Sequence, residues 1–326
     1  MGKTINVLIL SAGRRVELIE CFQEAKERMQ ITGKIVAVDA SDSAPALYFA
    51  DKHYLVPRIA SDEYIEKLIE ICNQEDIDLI VPTIDTELEK LARFRNEIES
   101  KTKAMLLLSD DRVVSVCRNK TNTQRFFEEH GFYVPRLITK EDIEQKNYSF
   151  PLFIKPLDGS SSVNTFKVEN DEQLMFFVKY IKNPMVQEFM QGEEYSVDVF
   201  CDFNCKPITV VPRKRLAVRS GEIAKGEIVK DRRVIDDVLR LIDVLRPIGH
   251  ITIQCMKTQK GIEYIEINPR FGGGAPMSIA AGADSCENLY RLLSGEELSY
   301  HEDYQERLLF LRFDKSIVLQ KDESMQ

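Results

Sequence analysis

The chain has 326 residues, more than one hydrophobic core organises comfortably, so two or three lobes are expected and a single small domain is excluded. Hydrophobic residues make up 44% and charged residues 30% of it, a globular balance that leaves no room for a long disordered tract. A net charge of −9 argues against a nucleic-acid backbone or an anionic membrane as the main partner, and points to a small-molecule site.

The first third alternates strand-like and helix-like segments: Ile5 to Leu10, a helix from about Arg15, Lys34 to Ala40, a helix from about Asp62, Asp78 to Thr83, and Ala104 to Ser109. Short apolar runs separated by amphipathic helices predict a parallel sheet covered on both faces. Ligands bind such sheets at the carboxyl ends of the strands, which singles out Ser11-Ala12-Gly13-Arg14-Arg15, Asp39, and Pro82 to Glu87. A helix over about Lys120 to His130, stopped by Gly131 and Pro135, leads to a second segment. There FPLFIKP reads as a strand, DGSSSVN as a loop, TFKVE as a return strand and EQLMFFVKYI as an amphipathic helix. A third segment from about Met185 carries VQEFMQGEEYSVDVFCD, the basic stretch PRKRLAVRSGE, a helix near Asp231 to Leu245, and the hairpin GHITIQCMKTQKGIEYIEINPR.

The seven cysteines form no C-x-x-C pair and read as reduced, mostly buried thiols, not as a zinc cage or disulfide framework. No apolar run reaches the roughly 20 residues needed to span a bilayer, and the first residues do not read as a cleavable signal, so a cytoplasmic location is expected.

Three constellations carry chemistry. In IEYIEIN a period of two puts Tyr264, Glu266 and Asn268 on one face and Ile265 and Ile267 on the other. If the hairpin has a three-residue turn with Gly261 left-handed, Thr258 faces Ile262 and Gln254 falls opposite Glu266. Gln254, Glu266 and Asn268 then form an all-oxygen cluster of the hard kind that suits Mg²⁺; the competing reading is a solvent-facing polar strand. Beyond it, Pro269 ends pairing, Arg270 supplies a planar fork for phosphate or carboxylate oxygens, and Gly272-Gly273-Gly274 opens backbone N–H groups to a ligand. The second constellation is FIKPLDGSSS, where Lys155 sits in an apolar strand and calls for an anion, beside a small-residue loop able to cradle phosphates. Taken alone, a lysine whose head reaches solvent and an ordinary turn explain it too. The third, VQEFMQGEEYSV, can present backbone groups to an adenine edge and a carboxylate to ribose hydroxyls, and by itself also reads as an exposed acidic strand.

With these constellations in this order, ending in EINPRFGGG, the chain resembles the ATP-grasp superfamily, most closely single-copy proteins similar to one half of the carbamoyl phosphate synthetase large chain. The resemblance covers nearly the whole chain, with its motifs between Lys120 and Gly274. It implies an α/β and α+β fold: a Rossmann-like parallel sheet over 1–115, a small ATP-grasp lobe acting as a lid over 116–186, and a large lobe with the metal site over 187–326. By position, Lys120 and Lys155 resemble the residues that hold the α- and β-phosphates, and Gly159, Ser160, Ser161 and Ser162 resemble the loop over the phosphates. Gln187, Glu188 and Met190 match the adenine edge, the latter two through backbone groups, and Glu194 matches the ribose contact. Gln254, Glu266 and Asn268 match ligands of Mg²⁺ or Mn²⁺, and Arg270, with Lys155, matches the catalytic cations at the γ-phosphate. The phosphate loop departs from the family in having one glycine, Gly159, before its serines, and Gln254 stands where many ligases carry a carboxylate.

The first lobe varies with substrate in such proteins, so Ser11, Gly13, Arg14, Thr83, Asp85 and Glu87 are candidate substrate contacts, with Arg219 of VRSGE facing a substrate carboxylate. The resemblance implies a carbon–nitrogen ligase that uses ATP, passes through an acyl phosphate and releases ADP, acting on a small carboxylate and an amine, with a homodimer allowed. Rival readings are a non-catalytic ATP sensor, a carbamoyl phosphate synthetase-like enzyme, and a dinucleotide-dependent oxidoreductase, for which S-A-G-R-R lacks the G-x-G-x-x-G spacing. The histidines, His53, His130, His250 and His301, lie outside the motifs, and no Ser/His/Asp arrangement is legible.

Overall fold

The structure is a computed structural model that describes residues 3–157, 163–219 and 221–320. The first domain runs β1 (Val7–Ile9), α1 (Val16–Arg28), β2 (Ile35–Asp39), β3 (Lys52–Leu55), α2 (Glu63–Gln74), β4 (Leu79–Val81), α3 (Asp85–Arg93), α4 (Arg95–Lys101) and β5 (Met105–Leu106). Its strands form a parallel sheet in the order β3-β2-β1-β4-β5. Alternate residues are buried on both faces, as the apolar runs require: Leu8, Val36 and Ile80 pack under α2 and α3, while Val7, Ile35 and Leu79 pack under α1. Strand β3 was not legible because it is an edge strand whose residues are largely exposed. The order reverses between β1 and β4, so their carboxyl ends open a crevice at the switch point.

Helices α5 (Asp111–Arg118) and α6 (Lys120–Glu129) lead into the small lobe. It contains β6 (Leu137–Ile138), α7 (Lys140–Gln145), β7 (Leu152–Pro156), β8 (Phe166–Val168), α8 (Asp171–Tyr180) and β9 (Pro184–Glu188), with an antiparallel sheet ordered β6-β9-β7-β8. A separate small core of Leu152, Ile154, Val168, Leu174 and Val186 holds it together.

The large lobe has β10 (Gly192–Cys201), β11 (Pro207–Arg219), β12 (Glu222–Ile228), α9 (Arg232–Leu245), β13 (Gly249–Thr258), β14 (Ile262–Asn268), α10 (Ala275–Ala280), α11 (Ser285–Leu293) and β15 (Leu309–Leu311). Its antiparallel sheet is ordered β14-β13-β10-β11-β12-β15. One face packs on α9 and on Phe126 and Phe127 of α6. The glycine-rich segment after β14 and helices α10 and α11 turn back onto the first domain, where Phe271, Ile279, Leu289 and Tyr290 share a core with Val7, Ile9 and Phe22. Both domains thus bury the same apolar surface, which fixes the switch-point crevice against the end of β14. The seven cysteines are free, with Cys72, Cys201, Cys255 and Cys286 buried. Among the described residues no helix is long and apolar enough to cross a membrane.

Candidate active site

A cleft of about 440 Å³ lies between the small lobe and the sheet of the large lobe. Lys120, Lys155, Gln187, Glu188, Met190, Glu194, Gln254 and Glu266 all line it, joined by Arg215. The sequence reading of β14 is corrected in one respect. Lys257, not Thr258, pairs with Ile262, and Thr258 N donates to Gly261 O at 2.8 Å, so the turn is one residue shorter than expected. A bulge at Ile265 then restores the register, and Gln254 does face Glu266. The extra residue reverses the alternation. Tyr264 is therefore not on the Glu266 face: it is 1% exposed, stacks on Phe127 and donates to Asp237 Oδ2 at 2.9 Å.

Glu266 and Asn268 remain together on the cleft side, with Asn268 Nδ2 donating to Glu266 Oε1 at 3.0 Å. One carboxylate and two amide oxygens on adjacent strands of a rigid sheet make an oxygen donor set of the hard type, which fits Mg²⁺ shared with phosphate oxygens. Lys155, near the end of β7, has no ion-pair or hydrogen-bond partner among the described residues. Burial lowers its pKa to about 8; Glu266 opposes that shift and Lys120 adds to it. A desolvated ammonium beside a second ammonium favours a bound anion. Lys120, the first residue of α6, donates to Pro156 O and Leu157 O at 3.0 and 2.8 Å, at the end of β7. The candidate residues Gly159, Ser160, Ser161 and Ser162 lie outside the described residues.

At the far end of the cleft Gln187 is buried and its Nε2 donates to Gln124 Oε1 at 3.3 Å. The amide of Glu188 donates to Arg136 O, and its carboxylate pairs with Lys260 at 2.8 Å. Glu194 pairs with Arg215 at 3.0 Å. Arg215 was missed, although a period of two along β11 puts it on the same face as Arg213. It is nearly buried and donates to Ser196 Oγ at 2.9 Å and Gly221 O at 3.1 Å.

The first-lobe candidates fall into two groups. Glu87 is fully buried and accepts from Thr83 N, Ile84 N, Ser11 Oγ and Tyr64 Oη, at 2.8, 3.2, 2.7 and 3.3 Å. Burial raises its pKa against the pull of those bonds. Thr83 is also fully buried and donates to Leu10 O and Ser11 O. Ser11, Thr83 and Glu87 thus close the ends of β1 and β4 and hold the start of α3, their side-chain polar groups bonded to one another and to nearby backbone. Gly13 adopts φ +48° and its amide donates to Asp39 Oδ2 at 2.9 Å, while Arg14 is exposed at the same turn. Asp85 faces Arg270, which also donates to Asn268 Oδ1 at 3.3 Å. Arg219 is not in the cleft; it is 64% exposed and pairs with Asp314 on the surface.

The glycine run is a packing device. A Cβ on Gly272 would lie 2.5 Å from Thr252 Oγ1, on Gly273 2.7 Å from Arg15 Nη1 and Glu222 Oε1, and on Gly274 it would overlap Arg213 Nη1. The three glycines admit polar side chains from beneath. Arg213 is buried against Asp198, whose carboxylate accepts from Arg213 Nη2 at 2.8 Å, Thr252 Oγ1 at 2.8 Å and Ser278 Oγ at 2.6 Å. Burial would raise the pKa of Asp198, but Arg213 and His250 hold it well below the carboxylate range. His250 completes the network: it stacks on Phe271, its Nδ1 lies 2.9 Å from Ser285 Oγ and its Nε2 3.5 Å from Asp198 Oδ1. The expectation that the histidines lie outside the motifs is thus overturned for His250. Its complete burial makes the Asp198-His250-Ser285 line a support beneath the turn and not a reaction site.

Residues 7–106 match the PylC-like, N-terminal domain family and residues 117–274 the ATP-grasp domain family. Among curated relatives, the chain is 23% identical over 169 residues to a carbamoyl-phosphate synthase of Methanobrevibacter smithii, covering 50% of this chain and 45% of that one. It is 24% identical over 192 residues to D-alanine–D-alanine ligase B of Clostridium perfringens, covering 52% and 63%. The chain thus spans about half to two thirds of the length of these two relatives. Its fold is similar to N5-carboxyaminoimidazole synthetase from Staphylococcus aureus complexed with ADP, with a TM-score of 0.73, 16% identity, and coverage of 92% of this chain and 80% of that one. It is equally similar, with a TM-score of 0.73 and 16% identity, to the biotin carboxylase domain of Hydrogenobacter thermophilus 2-oxoglutarate carboxylase, solved with MgADP, ADP and bicarbonate. That match covers 93% of this chain and 73% of the other. The motifs, the two-lobed cleft and the family matches agree, and the chain belongs to the ATP-grasp superfamily, with a PylC-like N-terminal domain preceding its ATP-grasp domain.

Proposed function

We propose that the chain is an ATP-dependent carboxylate–amine ligase that works through an acyl phosphate and releases ADP and phosphate. The observation that carries this reading is the cleft itself: a desolvated Lys155 with no partner among the described residues shares its lining with Gln254 and Glu266, while Asn268 bonds to Glu266 and Arg270 to Asn268. Cations on one side and oxygen ligands on the other form a receptor for a nucleotide polyphosphate and its metal. The ADP-bound and MgADP-bound relatives of the same fold, and the amide-forming D-alanine–D-alanine ligase, support it.

In this reading Lys120 and Lys155 hold the α- and β-phosphates, and the carbonyl of Glu188 and backbone of Met190, with Gln187, hold the adenine edge. Glu194 takes the ribose after exchanging part of its contact with Arg215. Gln254, Glu266 and Asn268 hold Mg²⁺, which when bound offsets charge on the phosphate oxygens. A substrate carboxylate oxygen attacks the γ-phosphorus; the new O–P bond forms as the bond to the β-phosphate oxygen breaks and ADP leaves. Arg270 and Lys155 offset the charge that builds on the transferring group. The amine nitrogen then attacks the acyl carbon, the C–N bond forms, the C–O bond breaks, phosphate departs and the nitrogen loses a proton. Gly13 and Arg14, at the open turn of the first domain, are the remaining first-lobe contacts for the substrate.

The test is an ADP-release screen of paired small carboxylates and amines, with products weighed by mass spectrometry. Hydroxylamine added with the correct carboxylate and Mg·ATP should trap a hydroxamate. Mg·ATP binding with no ADP release for any pair would favour a sensor instead.

A further inference from the structure

The strand that carries Arg270 does not aim it. Pro269 ends the pairing of β14, and the guanidinium, 13% exposed, is then held by groups from two domains. Nε and Nη2 both donate to Asp85 Oδ2, the former at 3.2 Å, so one carboxylate oxygen of the first domain grips the side of the guanidinium plane. Nη1 donates to Phe271 O at 3.1 Å and Nη2 to Asn268 Oδ1 at 3.3 Å. Asn268 Nδ2 in turn donates to Glu266 Oε1. A continuous polar line, Asp85–Arg270–Asn268–Glu266, therefore runs from the first domain to the floor of the cleft.

Asp85 is suited to fix that line because its backbone cannot drift. It is the first residue of α3, and the start of that helix is locked by Glu87 against Thr83 N, Ile84 N and Ser11 Oγ. An arginine side chain has many rotamers to lose, and a side-on carboxylate on a rigid support removes most of that freedom before any ligand arrives. Without it, the guanidinium keeps one carbonyl and one amide oxygen among the described residues and can swing away from Asn268.

We propose that Asp85 is a positioning residue that sets the orientation of Arg270, so that recognition of a γ-phosphate depends on the packing of the PylC-like domain against the large lobe. The inference rests on the reading of the cleft as a Mg·ATP site. It differs from a substrate-contact role because its effect appears with nucleotide alone.

The experiment is calorimetric titration of the full chain with Mg·ADP and with Mg·β,γ-imido-ATP, for wild type, Asp85→Ala and Asp85→Asn. Wild type is expected to prefer the triphosphate analogue. Asp85→Ala should weaken the analogue about tenfold while leaving Mg·ADP, which has no γ-phosphate, within about twofold. Asp85→Asn keeps a neutral acceptor and should fall between. Retained Mg·ADP affinity shows that the variants are folded. Equal weakening of both nucleotides, an unchanged preference in Asp85→Ala, or a wild type without any preference overturns the positioning role and leaves the nucleotide site standing. A wild type that binds neither nucleotide overturns the reading of the cleft, and this inference with it.

Discussion

At the carboxyl ends of β1 and β4, Glu87 accepts four hydrogen bonds and Thr83 gives its hydroxyl to two carbonyls. Across the molecule, on the wall of the cleft, Lys155 makes no such bond among the described residues and is held at a pKa of about 8. Both places are polar and partly or wholly withdrawn from water, and both looked like ligand sites in sequence. They differ in whether the withdrawn groups satisfy one another. A closed set of donors and acceptors stabilises its own geometry and has nothing left for a ligand, whereas an uncompensated charge is tolerated where function requires it. The same contrast separates the Asp198–Arg213 network, closed and buried, from the Glu266–Asn268 pair above it.

The strongest challenge to this contrast is Asp198→Ala. It strands the Arg213 guanidinium without its carboxylate and should cost about 3–5 kcal/mol in denaturant unfolding; a loss under about 1 kcal/mol would show that the network is not a support. Next in size, Glu266→Gln should slow ADP formation by about 10²–10³-fold with the melting temperature nearly unchanged, since that side chain serves the cleft and not the core. If it instead unfolds the protein while activity per folded molecule persists, the two regions are not different in kind. Glu87→Ala should do the reverse, costing about 2 kcal/mol through the lost cap and stranded amides, with the Mg·ADP affinity of the folded protein retained. The smallest effect is in pH. Burial depresses the pKa of Lys155 to about 8, so its positive charge is present below that value and lost as pH rises through it. Mg·ATP affinity should therefore fall by up to about tenfold between about pH 7 and pH 9.5, and Lys155→Arg should flatten the profile. A profile that is flat in the wild type removes Lys155 from the phosphate site.

Much of the cleft was legible because strand periodicity and residue chemistry are local. FIKP gave a lysine in an apolar strand, and EIN gave two oxygen ligands two residues apart on one face. What misled was also local. The alternation put Tyr264 on the strand face of Glu266 and Asn268, because one bulged residue at Ile265 is invisible in composition yet reverses the side chains on its other side. Arg215 was hidden inside a run of basic residues, where only the sheet decides which face is buried. Ser11, Thr83 and Glu87 lay at the right end of the right strands, but hydrogen bonds spanning more than 70 residues, such as Ser11 to Glu87 and Thr83 to Leu10, spent their polar groups elsewhere.

The sequence by itself determined the doubly covered parallel sheet, the strand–loop–strand lobe, the hairpin with its oxygen ligands and the order of the motifs, because each follows from periods of two or 3.6 residues and from turn chemistry. Only the tertiary structure decided which polar groups are satisfied. Asp198 under the glycine run, Glu222 against Arg15, and Asp85 against Arg270 are partners brought together from different domains or distant strands. No local pattern encodes such pairs, because desolvation and hydrogen-bond satisfaction are properties of the packed whole.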